Sequence, residues 1–213
     1  TWNKELFNSH DILVGAAYRY TFYDDNTTAT LSFDSLLNEP QEIHLPGIFI
    51  QDQIAINEFN TLLLGVRYDY NSIHGNIFSP RINYKWNTED NKMVVRLSLG
   101  NGFRVANVFT EDHAALTGAR DVVFANKLNP ETSRNINLNV VKRIYLKDET
   151  FLSLDGSVFY TYFNNRIVPD YETNPNQIIY DNLNGSAESK GVSLNVDLRL
   201  PNGLKVMGGA TLM

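Results

Sequence analysis

A strict period of two constrains this chain more than any other feature. Across Val192–Leu200 the apolar residues Val192, Leu194, Val196, Leu198 and Leu200 alternate with Ser193, Asn195, Asp197 and Arg199. Leu62, Leu64, Val66, Tyr68 and Tyr70 form a second stripe, opposite Leu63, Gly65, Arg67 and Asp69. Leu152, Leu154, Val158, Tyr160 and Tyr162 form a third, with Ser153, Asp155 and Ser157 opposite. Met93, Val95, Leu97 and Leu99 stand against Arg96 and Ser98, and Ile136, Leu138 and Val140 alternate with asparagines. Further stripes are Ile12–Tyr20, Phe78–Trp86 and Leu204–Leu212, and Ile48, Ile50, Ile54 and Ile56, a run interrupted by Asp52. Side chains of a strand point alternately to its two faces, so this pattern reads as about nine long, half-buried strands. The one stretch that admits a helical period is Asn107–Leu116.

Composition excludes several classes. Hydrophobic residues make up 43% of the 213, with 11 Tyr and 12 Phe, too apolar and aromatic for a disordered chain. The net charge of −6 argues against nucleic acid as a partner, which needs a basic footprint. With no cysteine, thiol nucleophiles, Cys-ligated zinc and disulfide frameworks are out. No apolar run is long enough for a transmembrane helix. The mean hydropathy of −0.27 suits a soluble β-domain, and equally a membrane barrel in which only alternate residues meet lipid.

The connections alternate in length. Asn57–Asn60, Asn87–Asn91, Lys147–Glu149 and Pro201-Asn202-Gly203 are short; Asp24–Pro46, Asn71–Asn76, Arg104–Glu131 and Asn164–Lys190 are longer. An antiparallel up-and-down meander with all its long loops at one end is the signature of a transmembrane β-barrel, with short periplasmic turns and long extracellular loops. With that orientation Tyr18, Tyr20, Phe22, Tyr68, Tyr70, Tyr160 and Tyr162 fall at the outer strand ends. Tyr84, Trp86, Tyr145 and Phe151 fall at the periplasmic ends. Two aromatic bands around an aliphatic middle suit a bilayer, because amphipathic rings sit at headgroup level. The opposite faces carry Arg19, Arg67, Asp69, Arg81, Asn83, Lys85, Arg96, Asp155, Asn195, Asp197 and Arg199, which a wet lumen accepts. A soluble β-sandwich is the competing fold, with the apolar stripes buried between two sheets. Nine strands cannot close antiparallel, so the chain is expected to be a segment of a longer barrel, residues 1–213 forming a partial barrel domain. Counting Gln177–Asn182 as a tenth strand would permit closure.

Several motifs carry a resemblance. Phe78-Ser79-Pro80-Arg81-Ile82-Asn83-Tyr84 resembles the "SPR" strand of TonB-dependent outer-membrane receptors. Leu97-Ser98-Leu99-Gly100-Asn101-Gly102-Phe103-Arg104 is similar to their strand ending in G-x-G/S-F/Y-R, and 105–111 resembles the entry to their next outer loop. Leu128-Asn129-Pro130-Glu131-Thr132-Ser133 resembles the "L-x-P-E-x-S" return. Phe159–Ile167 and Asn182–Val192 are similar to two further strands, with Ser193 where the family usually has Glu. The matches occur in family order over about residues 47–213. The resemblance implies a receptor in the outer membrane of a Gram-negative bacterium that binds and imports a scarce solute such as an iron-siderophore, haem or cobalamin. Outer-membrane lipid and the solute are the implied partners. It also implies a large plugged barrel, such transporters having about 22 strands. The plug and the segment that meets TonB would lie outside this chain.

Candidate site residues cluster in the longer connections. Glu111, Asp112 and His113 form the most chemical-looking triplet, and Arg104, Arg120 and Arg166 could attract an anionic chelate. All six are candidate ligand contacts. The long loops carry few Trp platforms for sugars, which favours a metal chelate over a glycan. No cofactor, resident metal site or catalytic residue is expected. Asp24-Asp25-Asn26 lacks the spaced carboxylates of a calcium loop, and Ser9-His10-Asp11 is contiguous rather than a triad. A barrel enzyme using Ser153 or Ser157 near Asp155 is the alternative activity, with no His placed beside them.

Overall fold

The computed structural model describes residues 1–24, 40–104, 120–126, 128–146 and 148–213. Among these it has thirteen strands: β1 (Trp2–Leu6), β2 (His10–Tyr23), β3 (Gln41–Asn57), β4 (Asn60–Asn71), β5 (Gly75–Asn87), β6 (Met93–Arg104), β7 (Asp121–Phe124), β8 (Glu131–Tyr145), β9 (Phe151–Phe163), β10 (Ile167–Asp170), β11 (Gln177–Asn182), β12 (Ala187–Arg199) and β13 (Lys205–Leu212). Ten of them form one antiparallel sheet in the order β1-β2-β3-β4-β5-β6-β8-β9-β12-β13, and β10-β11-β7 form a second. The large sheet is the expected meander, open between β1 and β13, and is called the wall below.

The wall's two faces follow from its register. Ile50 faces Val66, Tyr84 faces Leu97, Leu97 faces Leu138, and Leu138 faces Val158, so every apolar stripe joins its neighbour on one face. Nothing among the described residues covers that face: Ile48 is 62% exposed, Val158 53% and Leu194 51%. A sandwich requires these residues to be buried, so the soluble-sandwich reading fails here. A continuous exposed aliphatic band needs an apolar solvent.

The other face is polar and internally satisfied. Arg67 donates to both carboxylate oxygens of Asp69 at 2.7 and 2.6 Å and lies over the Phe49 ring. Arg96 donates to Asn139, whose amide donates to Asp155 and to the Ser157 hydroxyl. Arg199 and Lys205 both approach Asp197. All eleven polar residues expected to share a face do so by register.

Four details depart from the sequence expectation. The tenth wall strand is β1, whereas Gln177–Asn182 lies in the small sheet. β1 reaches β2 through a turn with Phe7 and Asn8 both at positive φ, 54° and 56°, a tight-hairpin conformation that Phe rarely supports. The Asn71–Asn76 connection is a tight hairpin: the Asn71 side chain accepts from the Ile73 and His74 amides, and Gly75 takes φ 77°. Tyr145 and Phe151 lie at the short-turn end but pair with each other on the polar face, with Arg199 over Phe151. Asp52, by contrast, sits on the apolar face, 2.7 Å from His10 Nδ1, and its Oδ1 is buried with no hydrogen-bond partner.

Candidate functional site

The long-loop end carries the second sheet. β11 pairs antiparallel with β10 and parallel with β7, so two connections far apart in sequence fold into one module. Its core is Ile178 and Tyr180, 1% and 3% exposed, packed by Val122, Leu128 and Ile167. Alternate residues of β11 enter this core because the strand has a partner on each side and only one face toward the module's interior.

Asparagine side chains replace backbone ladders where the module meets the wall. Asn182 Oδ1 accepts from the Asn129 amide at 2.7 Å, and its Nδ2 donates to the carbonyls of Asn129 and Asn165. Asn165 Oδ1 accepts from the Thr132 amide and hydroxyl, while its Nδ2 donates to the Pro130 carbonyl. Asn126 donates to Asp181. An Asn amide offers donors and an acceptor together, so it can satisfy backbone groups where no strand passes.

Glu131 is the deepest charged group here, 4% exposed. Two guanidinium nitrogens of Arg104 converge on its Oε2, each at 2.6 Å, and its Oε1 accepts from the Ile167 amide at 2.9 Å. One carboxylate thus ties the root of the 104–131 connection, at Arg104, to the root of the 164–190 connection, at Ile167. Such charge-assisted bonds are roughly twice as strong as neutral ones. The sequence pointed to Pro130-Glu131 as a family motif, but its partner lies 27 residues away, beyond local pattern.

The candidate residues fare as follows. Arg104 is engaged by Glu131. Arg120 donates to the Tyr171 carbonyl at 3.2 Å, which joins the start of β7 to the β10–β11 connection. Arg166 is exposed over the Phe163 ring and lies near Glu131. Arg104 and Arg166 thus lie at the module's base, and Arg120 at its far end. Glu111, Asp112 and His113 lie outside the described residues, as do Asp25 and Asn26. Phe124 and Tyr171 are each about 40% exposed on the module, offering aromatic surface that the sequence reading did not single out. The Asp170 carboxyl lies below its ordinary range, held first by the Thr173 hydroxyl and then by the Thr173 and Glu172 amides. On the wall, the partner of Asp155 and Ser157 is Asn139, not a histidine.

An uncovered apolar band, a polar opposite face and a folded loop module at one end define the wall of a membrane β-barrel. The model of the TonB dependent receptor-like β-barrel family matches residues 1–212, and the chain belongs to that family. A curated relative, the iron-regulated outer membrane virulence protein of Vibrio cholerae, is 28% identical over 134 residues, covering 62% of this chain and 20% of that protein. Among solved structures, the ferric enterobactin receptor of Pseudomonas aeruginosa superposes with TM-score 0.74 at 17% identity, over 99% of this chain and 34% of that one. A siderophore receptor of the same organism gives 0.73 at 18%, over 98% and 41%. An iron transporter of Neisseria meningitidis gives 0.68 at 17%, over 98% and 33%. The chain therefore spans about a fifth of the curated relative and a third to two-fifths of these structures.

Proposed function

We propose that this chain is one stretch of the barrel wall, with its outer loop module, of an outer-membrane receptor that binds and imports a scarce metal chelate. β1 and β13 are then edges that pair with further strands of the same protein. The observation that carries the membrane reading is the continuous, uncovered aliphatic band of the wall. Lipid is the solvent that band requires. The loop module, preorganised at the opposite end from the short turns, is the part that meets solute. Arg166, exposed beside Glu131 and Phe163, and Arg120 at the module's edge supply positive charge for an anionic chelate. An iron-regulated curated relative, and structural neighbours that are a ferric enterobactin receptor and a siderophore receptor, favour an iron chelate over a glycan. Energy would reach the receptor from TonB through a part of the protein outside this chain.

The test is ligand binding by the full receptor purified in detergent. Ferric catecholate, ferric hydroxamate, haem, cobalamin and a malto-oligosaccharide are compared by intrinsic fluorescence quenching. A saturable response to one of the metal chelates, weakened in Arg166→Ala, supports the reading. Saturable binding of the oligosaccharide alone overturns the preference for a chelate. Recovery of the protein in the soluble fraction after osmotic lysis overturns the membrane reading itself.

A further inference from the structure

The wall is split at its long-loop end. β5 pairs with β4 all the way to Asn71↔Gly75, and β6 pairs with β8 to Arg104↔Glu131. The β5–β6 ladder, however, stops at Arg81↔Gly100, one residue after Pro80. Proline has no N–H to continue a ladder. Above that point the two strands part, leaving a cleft of about 300 Å³. Phe78 and Phe103 frame it, and Asn76, Asn101, Ser133 and Arg134 line it.

Two of these side chains are unspent. Asn101 and Arg134 face each other in the β6–β8 register, on the apolar-face side of the wall. Neither side chain has a hydrogen bond or ion pair among the described residues. The wall guanidinium groups of Arg67, Arg81, Arg96, Arg104 and Arg199 are paired, and Arg19 stands on the opposite, polar face. Directly below Arg134 on the same face run Ile136, Leu99 and Ile82, each between 37% and 44% exposed. Beside it on β9 stands Tyr162, in the outer aromatic band. A free cation and a free amide, framed by two rings, thus stand at the upper border of an apolar strip.

That sequence of chemistries matches one kind of molecule: a lipid whose acyl chain covers the strip and whose head carries phosphate and hydroxyls. We propose that the cleft between β5 and β6 is a binding site for a phosphorylated glycolipid of the surrounding outer leaflet. Arg134 takes the phosphate, Asn101 and Asn76 take head-group hydroxyls, and Phe78 and Phe103 close over the sugar. A solute inside the barrel would not use Arg134, because its register places it on the lipid side. The inference rests on the membrane reading above.

The test uses the full receptor in phosphatidylcholine vesicles doped with lipid A or with its dephosphorylated form, bound lipid being counted by native mass spectrometry. The wild type is expected to retain lipid A over the dephosphorylated form. Arg134→Ala is expected to cut retention about five-fold, the effect of one cation at a lipid surface. Arg134→Lys should restore part of it, because the charge remains without the planar fork. Arg96→Ala, on the polar face, should change nothing. Equal retention by wild type and Arg134→Ala, in protein that has entered the vesicles, overturns this site and leaves the membrane reading standing. Failure of the wild type to enter vesicles overturns that reading instead. Equal competition by soluble glucosamine 1-phosphate would overturn the lipid as occupant.

Discussion

β11 and β12 are separated by a few residues, yet their apolar faces meet opposite environments. β11 buries Ile178 and Tyr180 against Val122, Leu128 and Ile167 in a small protein core. β12 leaves Val192 and Leu194 about half exposed, with none of the described residues over them. The module around β11 gains stability by removing apolar surface from water, as soluble domains do. The wall around β12 is held by backbone ladders that join each strand to the next from β1 to β13, its apolar face left uncovered among the described residues. The loop module should therefore respond to core truncation as a soluble protein does, and the wall should ignore it.

The sharpest way to break that comparison is Ile178→Ala. Truncating a fully buried Ile should cost the module about 3 kcal/mol. Hydrogen exchange should accelerate at the amides of β7, β10 and β11 while β12 and β13 keep wild-type protection. Loss of protection in the wall as well would show the two regions to be one cooperative unit.

Glu131→Ala should come next. It removes the acceptor for Arg104 and for the Ile167 amide at the joint between module and wall. Arg104 is half exposed and can rehydrate, which brings the expected cost to about 2 kcal/mol. Limited proteolysis should cut within 164–186 several-fold faster, and Glu131→Gln, which keeps an acceptor for Ile167, should fall between.

The wall has its own exception in His10–Asp52, a polar pair on the apolar face. His10→Ala, leaving Asp52 unpaired there, should destabilise refolding into vesicles by about 1 kcal/mol. The double change His10→Leu with Asp52→Ile should be neutral or stabilising, because hydrophobic replacement spares the desolvation cost. A large loss in the double variant would mean that this pair does something beyond stability.

The smallest effect is a pH dependence confined to the module. The Asp170 carboxyl is held below its ordinary range in the folded chain, chiefly by the Thr173 hydroxyl. A depressed folded pKa means its contribution is complete above the ordinary carboxylate range and is lost as pH falls through the folded value. Amide chemical shifts of Glu172 and Thr173 should thus move only in acid, and Asp170→Asn should abolish the movement. A transition near neutral pH would contradict the assignment.

How much of this was legible in the sequence follows the same division. The wall could be read because period-two alternation survives in strands such as Leu62–Tyr70, where one face meets apolar and the other polar surroundings. β1 escaped because Lys4 interrupts its apolar parity and Phe7 is no turn residue. The facing of Tyr145 and Phe151 escaped because an aromatic at a strand end fits either side; register alone places them on the polar face. The module was glimpsed only as a possible extra strand at Gln177–Asn182. Its parallel pairing with β7, and the Asn182–Asn129 bonds across 53 residues, leave no local pattern. Arg104 was singled out for its charge, yet that charge is met by Glu131, whose role depends on a fold that brings three distant segments together.

The central claim is that alternate residues of the wall face lipid and lumen, with the loop module outside the cell. This chain has no cysteine, so a single cysteine placed in it is the only thiol of this stretch, and any cysteine elsewhere in the receptor is first replaced by serine. We would put one each at Leu194, Asn195 and Tyr171 of the full receptor, label them with an environment-sensitive maleimide, and measure quenching by doxyl lipid together with access to an impermeant thiol reagent on intact cells. The account predicts lipid quenching at Leu194→Cys, none at the adjacent Asn195→Cys, and external labelling at Tyr171→Cys. Equal quenching at 194 and 195, or a Tyr171→Cys reached only after the outer membrane is opened, would contradict it.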